Sequence, residues 1–281
     1  MSSVSNPAPS ARLVGFLLVL PALAVIVGLF LMPLAISVIG AFRTPDGWGL
    51  ANFTKSADLY SIDVLYTVGV IGLSTLLIGL LSIAIGGYLT LGENPRAVAL
   101  LRWLYRWPLF IPFIVVGQMM RTFLAKNGLM NNVLVAAGLM APLDTVSFLD
   151  WRGIVISFVW KQTPLVALLV AGAMASLDRG TIEAARNLGA GRLRILVEIV
   201  VPQVMPTLLV GLTLSFVTMM SVLSVPLMVA SQSPTVITAD IAFRINAYAD
   251  YGVANALGVI SLVITGGVAW FYLRHTMRER L

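Results

Sequence analysis

Six stretches of the chain are apolar over about the ~20 residues that a helix needs to cross a bilayer. They cover residues 13–42, 64–91, 107–123, 153–177, 204–230 and 253–273. The first run contains Pro21 and Pro33, which membrane helices tolerate. It is too long for a signal-peptide core, and no small-residue cleavage pattern closes it early, so it is expected to remain as a spanning helix. The pattern predicts an all-α integral membrane protein, a single domain over 1–281 with about six spans and a short polar tail over 1–12.

Composition strengthens this picture. Hydrophobic residues make up 59% of the chain and charged residues 11%, against roughly 45–50% and about 25% in soluble domains. There is too little polar surface to cover a soluble core, which excludes an ordinary soluble enzyme and a disordered protein. The chain has no cysteine and one histidine, His275. Disulfides, thiolate or histidine-ligated metals and a Ser-His-Asp triad are excluded, and no metal or cofactor is expected on this chain.

The net charge of +6 resolves once the charges are sorted by side. With the N-terminus inside, eleven of the eighteen Lys and Arg residues fall on the inner face and six outside, with Lys161 left in a span. This is the positive-inside pattern, and it predicts both termini on the cytoplasmic side. Basicity is then a topology signal, and no nucleic-acid partner is needed to explain it.

Two loops carry more than a connection. The outer segment 124–152 contains Leu129, Val133, Val135, Ala136 and Leu139, which suit a short surface helix. The inner segment 178–202 has an apolar stripe at Ile195, Leu196, Ile199 and Val200. Its surroundings are charged, so it is expected to lie against the membrane or a partner protein.

Within that inner segment, Glu183-Ala184-Ala185 is followed by Gly189, Ile199 and Pro202. Physically this is a helix, a glycine turn and a second helix. Ala184 and Ala185 are expected to leave a smooth face for a partner. Gly189 and Gly191 are expected to allow a sharp bend, and Pro202 to end the second helix before the next span.

At these residues the sequence resembles the permease subunits of binding-protein-dependent ABC importers of the type I fold. Their hallmark is Glu-Ala-Ala, three residues, Gly, nine residues, Ile, one residue, Leu, Pro. Val201 stands where the family usually has Leu. The resemblance extends to the six-span layout, to Asn127-Gly128-Leu129 with Gly138-Leu139, and to Tyr251-Gly252 with Asn255-Ala256-Leu257. It implies that Glu183, Ala184, Ala185, Gly189, Ile199 and Pro202 couple the spans to a dimer of ATP-binding cassette ATPases. It also implies a second permease subunit, the same or related, and an extracytoplasmic substrate-binding protein, all at a bacterial cytoplasmic membrane. No G-x-x-x-x-G-K-[ST] occurs in the chain, so ATP and Mg would sit on the separate ATPase.

Polar residues within the spans are candidates for the translocation pathway. Lys161 with Gln162 comes first, because a charge at membrane depth faces a cavity or a partner. Lys161 is expected to meet an anionic solute, or else to pair with a neighbouring subunit or reach an interface. Gln118, Ser221, Ser224 and Asn255 complete the set, although the two serines also suit bonds to their own backbone. Pro226 suits a kink in the fifth span. Gly72, Gly79 and Gly86 recur every seven residues, which predicts one close-packing helix face.

The expected function is inward passage of a polar solute, with no bond chemistry on this chain. The run Leu188-Gly189-Ala190 looks closer to the family's polyamine, iron and phosphonate branch, which implies a small organic ion. A sugar or glycerol-phosphate permease is the alternative within the family. A self-sufficient secondary transporter or channel is the alternative of another class. It would need internal repeats and carboxylates at mid-span, and neither is evident.

Overall fold

The computed structural model describes residues 9–278 except 46 and 231, with side chains over 17–272 and at 274. Residues 1–8 of the expected tail, and the side chain of His275, lie outside the described residues.

Thirteen α-helices follow one another, with a single two-stranded hairpin of Arg43–Thr44 and Gly47–Trp48, among the described residues. Five helical segments are long and apolar enough to cross a membrane, and a bent pair makes a sixth. The first comprises α1 (Pro9–Ile26) and α2 (Met32–Phe42), joined through a π-helical turn at Val27–Leu31. Its apolar stretch is not buried by the rest of the chain, so its cover must come from lipid or a partner. The C-terminal end of this segment is tied down. Ser37 Oγ donates to Asn255 Oδ1 at 2.9 Å, and Asn52 Nδ2 donates to the carbonyls of Ala41 and Arg43 at 3.0 and 2.9 Å.

Helix α3 (Ala51–Leu91) has 41 residues, a length of about 60 Å at 1.5 Å per residue. That is about twice the ~30 Å hydrocarbon core. It begins well before residue 64, where the apolar run starts, because the polar stretch with Lys55, Asp58 and Asp63 continues the same helix beyond the lipid.

The segment from residue 95 to 136 is where pattern and structure differ most. In place of a straight span over 107–123 there are α4 (Pro95–Leu104), a 3-10 turn at Trp107–Phe110, α5 (Phe113–Leu124) and α6 (Leu129–Ala136). The chain turns by 108° at the break. Pro112 explains the position. It has no N–H, and it forces Ile111 into extended backbone at φ −90° and ψ 122°. Helix α6 forms in the outer segment, where Asn131 is fully buried. Its Nδ2 donates to the carbonyls of Ala125, Lys126 and Val146.

Helix α7 (Trp151–Ala175) is the most enclosed span. It packs along α3 and along α10 (Val201–Ser221). Phe158, Val166, Val170 and Met174 of α7 meet Ile78 of α3 and Leu208 and Met219 of α10 in one continuous core. A smaller cluster of Tyr60, Ile237, Val253 and Leu257 joins α3 to α12 (Ile237–Tyr248) and α13 (Tyr251–Arg278).

The glycine spacing in α3 is used only in part. A Cβ at Gly86 would lie 3.0 Å from Met174 Sδ and 3.2 Å from Val170 Cγ1, and one at Gly79 would lie 3.4 Å from Leu212. A Cβ at Gly72 would meet nothing within 4 Å. No helix approaches Gly72 closely enough to need its glycine. Gly86→Val should therefore overpack the α3–α7 seam and cost about 1–3 kcal/mol, whereas Gly72→Val should be near neutral. Thermal unfolding of the two purified variants checks the difference.

Candidate functional site

The loop that leaves α7 is built by three local devices. The first is a cap. Asp178 begins α8 (Arg179–Asn187) by accepting from Gly180 N at 3.0 Å and Thr181 N at 3.3 Å. The Gly180 N–H, with help from Thr181, holds the Asp178 carboxyl below its ordinary range.

The second is the turn that ends α8. Gly189 has φ +83°. Gly189 N donates to Arg186 O at 2.9 Å, and Ala190 N donates to Ala185 O at 3.0 Å. This paired closure needs a left-handed residue, hence glycine. Gly191 differs. Its φ of −70° and ψ of 158° suit any residue, so only one of the two expected hinge glycines is required by conformation.

The third device is at Pro202. It does not end the second helix. One continuous helix runs Arg192–Ser221, through α9 (Arg192–Ile195), a π-helical turn at Leu196–Val200 and then α10. Proline cannot donate to the carbonyl of Glu198, and the wider π turn absorbs the missing bond. Val201 N reaches Leu196 O, and Gln203 Nε2 donates to Ile199 O at 2.8 Å.

The faces of the loop also differ from expectation. Ile182 and Ala185 are buried against the helical body, as are Ile195 and Val200, with Leu196 and Ile199 half-buried. The apolar stripe therefore covers the protein's own core, and Ala185 is not open to a partner. Exposed instead are Glu183, Ala184 and Pro202, with Leu188 at 89%, Leu193 at 74% and Val197 at 56%. Three apolar side chains on a polar loop are thus left more than half exposed among the described residues. Leu193 and Val197 are four residues apart, so a helical projection of 192–200 reveals this second apolar face. Arg192 pairs with Glu93, and Arg194 with Glu198 at 2.9 Å, anchoring the loop to the residues that follow α3 and to itself.

The polar residues of the spans do not share one use. Lys161 Nζ donates to the carbonyls of Pro108 and Leu109 at 2.8 and 3.0 Å and lies 5.4 Å above the Phe113 ring. It caps the carbonyls released by the break at Pro112. That role was in neither expectation for this residue. Asn255 fastens the first helix to α13. Ser221 Oγ bonds Val217 O at 2.9 Å within its own helix. Ser224 begins α11 (Ser224–Val229). The fifth span is interrupted at residues 222–223, ahead of Pro226. Pro226 leaves the Val222 carbonyl without its helical donor, and Thr238 Oγ1 supplies a bond at 3.2 Å. Gln118 is exposed on α5 in a concavity of about 880 Å³ shared with Trp160 and Met228. Gln162 is buried, and its Nε2 has no hydrogen-bond partner among the described residues.

A polar junction between α3 and α12 went unread in the sequence, because its members are far apart along the chain. Asp63 accepts from Thr235 N at 2.7 Å, and Thr67 Oγ1 accepts from Ile237 N at 2.9 Å. Thr235 Oγ1 donates to Asp240 Oδ1 at 2.7 Å, while Asp240 Oδ2 is buried without a partner. Arg244 bonds Tyr60 at 2.5 Å and lies 3.6 Å from Asp250, which Lys55 holds at 2.7 Å.

Residues 78–278 match the family described as binding-protein-dependent transport system inner membrane component, and the chain belongs to this family. It is a multi-pass membrane transport subunit, the permease component of such a system. It is 26% identical to the putative 2-aminoethylphosphonate transport system permease protein PhnU of Salmonella typhimurium, over 94% of this chain and 93% of that one. It is 24% identical to the sulfoquinovosyl glycerol transport system permease protein SmoG of Agrobacterium fabrum, over 72% and 69%. Among solved structures, a bacterial alginate ABC transporter in complex with an alginate pentasaccharide-bound periplasmic protein shares the fold. The TM-score is 0.79 at 22% identity, over 96% of both chains.

Burial, reinforced by the nearby Asp63 carboxylate and opposed by the Thr235 hydroxyl and Arg244, pushes Asp240 up to about 6. The folded state thus binds a proton that the unfolded chain, at 3.8, releases earlier. Stability should fall as pH rises from about 4 through about 6. The melting temperature is expected to be higher at pH 5.5 than at pH 7.5, and Asp240→Asn should flatten that difference.

Proposed function

We propose that this chain forms half of the pathway through an ATP-driven importer, beside a second permease subunit of the same or a related kind. The inner end carries the 178–202 loop, and both termini lie on that side of a bacterial cytoplasmic membrane, as the charge distribution favours. A dimer of ATP-binding cassette subunits, which hold ATP and Mg, docks on the loop. A binding protein delivers solute to the opposite face. ATP binding favours the outward-facing state through differential contacts with the two conformations.

The observation that carries this reading is the exposed face of the loop. Leu188, Leu193 and Val197 are exposed on the same loop as Glu183, whose first helix closes in a left-handed turn at Gly189. A capped, hydrogen-bonded loop suits a part that passes movement from one protein to another. A flexible linker would need neither the cap at Asp178 nor the closed turn.

For the solute, we favour a small organic ion of the phosphonate class. The PhnU likeness spans nearly the whole chain, and the Leu188-Gly189-Ala190 run agrees with it. Lys161 lends no support to an anion, because its ammonium is occupied by two carbonyls. The sulfoquinovosyl glycerol relative keeps a sugar-containing solute as the second reading.

Co-purification with an ATPase and uptake in vesicles test the proposal. Gly189→Ala should strain the turn by about 1–2 kcal/mol and lower uptake, while Gly191→Ala should leave uptake near wild type. Glu183→Ala should leave ATP hydrolysis running but weaken its link to uptake. Wild-type uptake in both Gly189→Ala and Glu183→Ala would overturn the assignment of the loop.

A further inference from the structure

Four arginines converge where α4, α7 and α8 meet. Arg102 and Arg106 come from the end of α4 and the residues just after it. Arg179 and Arg186 come from α8. Together they line a cleft of about 620 Å³ that also receives Glu183. Among the described residues, none of the four forms a salt bridge within the chain. Four guanidiniums against one carboxylate leave a strong positive field, which attracts a multivalent oxyanion.

Tyr105 forms a wall of this cleft and also of a second one. The second is an apolar groove of about 470 Å³ running along α3 and α7 past Leu81, Val159 and Trp160. A charged pocket with an apolar groove on the other side of Tyr105 matches an amphiphile better than a free ion.

The height of the cleft in the membrane follows from α4. Asn94 caps this helix, accepting from Arg96 N and Ala97 N. Its Leu100, Trp103 and Leu104 are each more than half exposed, and Trp103 packs edge-on against Trp107 at 5.0 Å. An amphipathic helix with exposed Leu and Trp lies at the headgroup boundary. That places Arg102 and Arg106 at the level of lipid phosphates.

We propose that the cleft and groove together bind one anionic phospholipid of the leaflet on the loop side. The phosphodiester sits among Arg102, Arg106, Arg179 and Arg186, and an acyl chain lies in the groove beyond Tyr105. Basic pockets between spanning helices on the cytoplasmic side recognise such headgroups. Because Glu183 and Arg186 belong to the loop, the lipid bears on the element that meets the ATPase. The name of the leaflet and the bearing on the ATPase rest on the function proposed above; the binding site itself does not.

The test is lipid retention by the full chain purified in detergent. Equal amounts of phosphatidylglycerol and phosphatidylcholine are added, and bound lipid is counted by native mass spectrometry. Wild type should retain phosphatidylglycerol in clear preference. The double variant Arg102→Gln, Arg106→Gln should lose that retention by about tenfold or more. Arg194→Gln, which removes a charge paired with Glu198 away from the cleft, should not. Leu81→Trp should fill the groove and lower phosphatidylglycerol retention while leaving inorganic phosphate binding unchanged.

Equal retention of both lipids by wild type overturns the proposal, even if the double variant cannot be purified. So does equal loss in Arg194→Gln, which would mark a general charge effect. Phosphate binding with no lipid preference would mark a free-anion site and also overturns it. Neither transport nor an ATPase enters the measurement, so its failure would leave the transport reading untouched.

Discussion

Lipid offers no hydrogen bond to a stray carbonyl, and each unsatisfied group within it costs several kcal/mol. Straight helices meet that constraint by themselves, but this chain breaks a span near Pro112 and another near Pro226 and loses a helical bond at Pro202, and each of the three places is repaired. At Pro112 the donor is Lys161, whose ammonium spans the carbonyls of Pro108 and Leu109. At Pro202 the helix widens by a π turn, and Gln203 caps Ile199. At Pro226 it is Thr238, reaching Val222. These repairs allow spans to bend without exposing backbone to the membrane.

The bends divide the molecule into a rigid middle and two polar ends. The middle is the seam of α3, α7 and α10, where Gly86 lets Val170 and Met174 close on α3. The end away from the 178–202 loop is fastened by the Asp63–Thr235–Asp240 junction and by Asn131 under α6. The loop-bearing end keeps its stripe of Ile195 and Val200 for its own core and turns Leu188, Leu193 and Val197 outward. A permease that takes energy from a separate motor needs that arrangement. The loop is joined to the core on one face and exposed on the other, so on the proposed reading a push on it would be carried into α7 and α10.

Much of this was legible in the sequence, for physical reasons. Five of the six apolar runs of bilayer length fall on helices long enough to span, and the Glu183–Gly189–Pro202 spacing marks a helix and a glycine turn in which Gly189 proved to be left-handed. What stayed hidden was pairing between distant residues. Lys161 at membrane depth read as a solute contact or a snorkelling charge, because nothing local shows that a break at Pro112 would leave carbonyls for it. Asn255 read as a pathway residue, yet its partner Ser37 is 218 positions away. Ala185 read as a docking surface, because composition alone does not say which face of a short helix turns inward. Pro202 read as a terminus, because proline ends most helices and only the π turn spares this one.

The central claim is that the outward face of the 178–202 loop is the seat of a separate motor. The chain lacks cysteine, so a single introduced thiol reports on one place. The direct measurement is the rate of maleimide labelling of Leu188→Cys, alone and in the assembled transporter. Leu143→Cys, at a site 93% exposed in the segment after α6, serves as the reference. Assembly with the ATPase is predicted to shield the thiol at position 188 and leave that at 143 unchanged. Equal labelling at 188 with and without the ATPase would contradict the account.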